Sequence, residues 1–127
     1  MPPRFLDMNK VIRAHLSLIE RYGGETGVRD AGLLHSAIAM PQASFGGEYL
    51  HTDLFEMAAA YLFHIVQNHP FVDGNKRAGA TAAIIFLKIN KVNIQVDEEA
   101  LVDLTLRVAT GQAGKKEIAE FFRRLAS

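Results

Sequence analysis

Apolar residues recur along this chain at helical spacing, interrupted by short polar and glycine-bearing stretches. Met8, Val11, Ile12, His15, Ile19 and Tyr22 form the first run, and residues three and four apart share one helix face. Asp7 is placed to cap its start, and Gly23-Gly24 to stop it. Asp30 caps a second, shorter helix through Ala39, which Pro41 prevents from continuing. From Pro41 to His51 no helical period survives. Two glycines with Phe45 and Tyr49 there suggest a loop or a small hairpin. Thr52 or Asp53 then caps a helix with Leu54, Met57, Ala58, Tyr61, Leu62 and Ile65 on one face. Phe55, Ala59 and Phe63 make its opposite side apolar as well, which marks it as central.

A further helix is expected from near Asn75 to about Asn90, with little polar surface between Ala78 and Leu87. Gly79 and the neighbouring alanines permit close helix approach. Val92, Ile94 and Val96 alternate with polar residues and predict a short extended piece. Asp97 caps a helix carrying Leu101, Leu104, Thr105 and Val108. Gly111 and Gly114 break the chain, and Ile118, Phe121, Phe122 and Leu125 mark a last amphipathic helix. The pattern predicts one compact all-α domain over residues 1–127, with about six helices and one excursion before the central pair.

Composition narrows the function classes. The chain is 49% hydrophobic, enough for a core without staples. It has no cysteine, so disulfides and thiolate metal sites are excluded, which fits a cytoplasmic protein. Fourteen basic and fourteen acidic residues cancel, which argues against bulk binding to nucleic acid or membrane and against a DNA-binding helical domain. The start lacks the apolar core of a signal peptide. The charge-free stretch from Ala78 to Leu87 falls short of the ~20 residues of a membrane span.

The chemistry is concentrated between the two most apolar segments, in His69-Pro70-Phe71-Val72-Asp73-Gly74-Asn75-Lys76-Arg77. A loop entering a helix at Gly74 leaves backbone N–H groups unpaired. With the positive helix end and two cations, they make a site for phosphate. Gly74 supplies a permissive backbone angle, and Asn75 starts the helix with its backbone or amide free to face phosphates. Lys76 and Arg77 oppose the helix dipole, a conflict that a bound polyanion removes. Arg77 has the forked guanidinium suited to phosphate oxygens. Asp73 could be only a helix cap, and His69 alone would read as a histidine at a helix end. Beside the other residues they read as a metal ligand and a proton acceptor. Phe71 reads as an apolar pin fixing the loop. His15, His35, His51 and His64 are scattered and read as core or surface residues.

These nine residues resemble the motif of the Fic/Doc family, His-Pro-Phe-x-(Asp/Glu)-Gly-Asn-(Gly/Lys)-Arg. Tyr22-Gly23-Gly24, the segment from Asp30 to Ile38, that from Pro41 to Gly47, and Phe86 to Asn90 also look like Doc-branch sequence. Lys76 stands where AMP-transferring Fic enzymes carry glycine, and Ala80 where they carry a second arginine. The resemblance therefore implies a death-on-curing toxin of a toxin–antitoxin pair. It implies an ATP-dependent, Mg²⁺-requiring kinase acting on a protein hydroxyl, with a threonine of elongation factor Tu as target, and so an arrest of translation. In that reading His69 is the general base, Asp73 holds Mg²⁺, and Gly74, Asn75, Lys76 and Arg77 bind ATP phosphates. Ser44, Phe45, Gly46 and Gly47 belong to a flap that aligns the target segment. AMP transfer and a non-catalytic binding module are the alternatives on the same fold. Related Fic proteins often carry an inhibitory helix in which glutamate precedes Gly or Asn, and no glutamate here is so placed. Restraint is thus expected in trans, from a small antitoxin whose C-terminal segment folds on binding.

Overall fold

Aspartates set the starts of most of the helices. The computed structural model describes residues 2–126. In it, the Asp7 side chain accepts from the Lys10 N–H at the head of α1 (Met8–Tyr22). Asp30 does the same for α2 (Ala31–Ala39), and Asp53 for α3 (Leu54–Asn68). Each carboxylate satisfies an N–H that the first helical turn leaves without a partner. Helix α4 (Asn75–Ile89) departs from this pattern, since it starts at Gly74 with no side-chain cap. Asp97 caps α5 (Glu98–Ala109), and α6 (Lys115–Leu125) starts at Gly114. Thr52 and Asp53 were equal candidates for the α3 cap. Asp53 takes that place, and the Thr52 N–H and hydroxyl bond to Glu56 instead.

The expected all-α architecture is the one observed, with α3 and α4 as the central pair. Helix α3 also packs on α6, α2 and α5. It buries residues on every side, Met57 to Leu62 without a break, then Ile65 and Val66. Helix α4 packs on it and buries Ala78, Gly79, Ala82, Ala83, Phe86 and Leu87. A Cβ on Gly79 would lie 3.0 Å from the Leu62 carbonyl oxygen, so the two backbones are nearly in contact there. Each large apolar side chain fully buried in this core contributes about 1.5–3 kcal/mol.

The excursion between α2 and α3 is a single 3-10 turn at Met40–Gln42 and then a hairpin. Strands β1 (Ser44–Phe45) and β2 (Glu48–Tyr49) pair antiparallel, Ser44 opposite Tyr49 and Phe45 opposite Glu48. Gly46 and Gly47 both have positive φ, 61° and 84°, as a two-residue turn matched to strand twist requires. The expected extended piece after α4 exists in reduced form, as a bridge between Ile94 and Ala126. Among the described residues no helix is long and apolar enough to cross a membrane.

Candidate active site at the α3–α4 junction

Helix α3 ends at His69, in the left-handed conformation at φ 53° and ψ 53°, where its N–H still reaches the Ile65 carbonyl. Glycine is the usual occupant of such a position, and a residue with a Cβ is strained there. Strain of this kind persists where surrounding bonds over-determine it. Those bonds come from the stretch after α1. Arg29 donates through Nε to the His69 carbonyl at 2.7 Å and through Nη2 to the Asn68 carbonyl at 3.0 Å. A cation is thereby set on the negative end of α3. The N–H groups of Arg29 and Asp30 both reach the Pro70 carbonyl, and Val72 N–H reaches Gly27 O at 3.0 Å. Val28 and Phe71 form an antiparallel bridge. The motif loop is strapped down along its length, leaving the His69 side chain exposed.

Below the strap the loop has a packed floor. Phe71 is fully buried, its ring stacked on His15 with centroids 3.9 Å apart and planes within 4°. His15 Nε2 donates to the Asp73 carbonyl at 2.7 Å; a carbonyl only accepts, so this nitrogen carries the hydrogen. The buried Asn75 amide closes the loop, accepting from Phe71 N–H at 2.9 Å and donating to Phe71 O at 3.0 Å. With both ends of the amide turned inward, what Asn75 can offer an anion is its backbone N–H. Gly74 has φ 75°, and a Cβ on it would approach Ile19 Cδ1 at 3.3 Å and His15 Nε2 at 3.5 Å. Both conformation and room favour glycine.

The first intrahelical bond of α4 runs from Ala78 N–H to Gly74 O at 2.9 Å. The N–H groups of Asn75, Lys76 and Arg77 therefore have no acceptor within the helix. Lys76 and Arg77 are exposed beside them. The Arg77 guanidinium lies over the Tyr22 ring, 4.4 Å from its centroid, which orders the side chain without consuming its N–H donors. Asp73 is exposed and anchored by backbone, accepting from Gly74 N–H at 2.8 Å and Glu25 N–H at 3.2 Å. Its oxygens keep further lone pairs for a hard cation. A Cβ on Gly24 would stand 2.7 Å from Asp73 Oδ2, so that glycine keeps space beside the carboxylate. Among the described residues no three acidic or imidazole groups converge on one point. A lone anchored carboxylate fits Mg²⁺ rather than a metal needing a full protein cage, because Mg²⁺ takes most of its ligands from water and phosphate.

The hairpin tip is open, with Phe45 83% exposed. Ser44, Phe45, Gly46 and Gly47 form no hydrogen bond to the motif loop among the described residues. His51 and His64 lie away from the loop, their Nε2 atoms 3.4 Å and 3.2 Å from Lys115 Nζ. Burial and then the Lys115 charge push the His64 pKa down to about 4 and lower that of His51. His35 is exposed.

The sequence reading did not assign site roles to His15, Arg29 and Tyr22. His15 carried a usable signal, since it shares the buried stripe of α1 with Val11 and Ile19. A polar ring there needs a partner. Arg29 carried none, because its partner lies 40 positions along the chain; Tyr22 was visible only within the family-like Tyr22-Gly23-Gly24 run, its contact with Arg77 lying 55 positions on.

Comparison with known proteins identifies the family. A profile of the Fic/DOC family matches residues 5–87. The protein named Protein kinase doc, of Escherichia phage P1, is 38% identical over 122 residues, 96% of this chain and 95% of the phage protein. The protein named Toxin Doc, of Mycolicibacterium smegmatis, is 43% identical over 100 residues, 77% of each chain. With its motif loop, helical architecture and these relatives, the chain belongs to the Fic/DOC family.

Proposed function

We propose that this chain is the toxin of a toxin–antitoxin pair and a protein kinase, moving the γ-phosphoryl group of ATP to a hydroxyl of a target protein. The observation that carries the reading is the uncapped start of α4. Three backbone N–H groups, two cations and an anchored carboxylate belong to this helix start, at the end of a short loop that begins at the exposed His69. That is equipment for positioning and charge stabilisation, which is most of what phosphoryl transfer asks of a protein. The names of the two relatives, one a kinase and one a toxin, support it.

In this mechanism the His69 imidazole takes the proton of the acceptor hydroxyl. The hydroxyl oxygen bonds to the γ-phosphorus as the bond from that phosphorus to the bridging oxygen of ADP breaks. The N–H groups of Asn75, Lys76 and Arg77, with the two side-chain cations, hold the phosphate oxygens. Asp73 would hold Mg²⁺, which when bound supplies positive charge against the phosphates. The exposed hairpin pairs with the segment bearing the acceptor, assigned by family resemblance to a threonine of elongation factor Tu. The work is done in the cytoplasm, and a small antitoxin, folding its C-terminal segment on this domain, restrains it.

Expression of the chain alone is expected to arrest growth, and His69→Ala to relieve the arrest with the fold retained, since the side chain is exposed. A folded alanine variant with full toxicity would remove His69 from the mechanism.

A further inference from the structure

Among the described residues, His15 is the one fully buried titratable side chain in contact with the motif loop, and the mechanism above gives it no part. As a mere core residue it would need only its ring, which stacks on Phe71. Its Nε2–H, however, points at the carbonyl of the Asp73–Gly74 peptide. In a trans peptide the carbonyl and the N–H point in opposite directions. Drawing the Asp73 carbonyl down to a buried imidazole turns the Gly74 N–H to the outer face of the loop. There it meets Asp73 Oδ1 at 2.8 Å.

We propose that His15 is a positioning residue, whose Nε2–H sets the Asp73–Gly74 peptide and thereby aims both the carboxylate and the first turn of α4. Gly74 is the N-cap of α4, and its own carbonyl accepts the first helical bond, from Ala78. Rotation of the preceding peptide would therefore disturb the metal ligand and the anion-facing N–H groups together. Glycine at 74 makes such rotation easy, because no Cβ resists it. A lock from below is what the permissive residue requires. The functional half of this inference rests on the kinase reading; the conformational half does not.

Two substitutions separate positioning from packing. His15→Phe keeps a ring and its volume against Phe71 but has no donor. His15→Gln places an N–H donor near the Nε2 position and gives up the ring. A positioning role is preserved by Gln and lost with Phe; a packing role gives the reverse order. The first readout is the Gly74 amide in ¹H–¹⁵N spectra of the full chain. His15→Phe is expected to shift it and speed its hydrogen exchange about tenfold, the scale of one lost hydrogen bond, while Gln stays close to wild type. The second is MgADP titrated calorimetrically, with affinity about tenfold weaker for Phe and near wild type for Gln. An unchanged Gly74 amide in His15→Phe, or a Gln variant that folds and loses both properties, overturns the proposal. If Phe does not fold, Gln alone decides, by keeping or losing the wild-type amide. If wild type binds no MgADP while the amide follows the expected order, the nucleotide reading fails and the positioning role stands.

Discussion

Arg29 and His69 are joined by a short bond, from the Arg29 Nε to the His69 carbonyl at 2.7 Å. The second arm of the fork holds the Asn68 carbonyl at 3.0 Å. The residue proposed as base is thus fixed through its own backbone, by a cation 40 positions away. Its side chain is left exposed.

Arg29→Met is expected to remove both bonds and let the end of α3 relax. Arg29 is exposed, so the stability loss should stay near 1 kcal/mol. Phosphoryl transfer should fall about tenfold, since small misplacements of a reacting group are costly. Arg29→Lys should recover little, because an ammonium cannot reproduce the fork. Urea unfolding and initial transfer rates measure the two effects; an Arg29→Met protein with wild-type rate would show that the strap is dispensable.

At Gly79 two effects oppose. Alanine in a helix interior gains about 1 kcal/mol over glycine. Its Cβ would, however, sit 3.0 Å from both Leu62 O and Val66 Cγ2. The valine tip can rotate away, but the carbonyl belongs to the backbone of α3. Overpacking of this sort costs about 1–3 kcal/mol, so Gly79→Ala is expected to be destabilised by about 1 kcal/mol in urea unfolding. A variant as stable as wild type would mean that α3 and α4 are not in such close contact.

The His51, His64 and Lys115 cluster makes stability depend on pH. Burial first, then Lys115 and His51, hold the folded His64 pKa at about 4, against an ordinary 6.5. Between those values the unfolded chain binds more protons, so stability falls as pH drops through the window. His64 is only half-buried, and with solvent screening the loss should be on the order of 1 kcal/mol. Lys115→Met should raise the His64 pKa in part, because burial remains, and so shrink the loss. Glu56, which acts on His51 in the opposite sense, is left in place. Urea unfolding at pH 7 and pH 4, with an NMR titration of His64, tests this. An unchanged or larger loss in the variant would contradict it.

Much of the fold could be read locally. The Asp7, Asp30 and Asp97 caps are each three residues from the N–H they accept, and the apolar face of α3 lies within one segment. The His69–Arg77 run was visible for the same reason, as one short stretch. What holds it was not. The strap from Gly24 to Asp30 has no apolar period, and it bonds to residues some 40 positions on. The Asn75 side chain shows the limit from the other side. Its place in the motif suggested a phosphate contact, but only the folded loop reveals that the amide is already paired with Phe71. The hairpin was one of two readings, since Gly46-Gly47 fits a mobile loop as well as a tight turn.

The central claim is that the γ-phosphoryl group moves, and the direct measurement is transfer of label from ATP to the target. Purified chain, Mg²⁺ and elongation factor Tu are incubated with ATP labelled at either the α or the γ position. The account predicts label on the target from the γ position only, a mass gain of ~80 Da with close to two added negative charges, and no transfer by His69→Ala. Label from the α position would contradict it, and would make the chain an AMP-transferring enzyme.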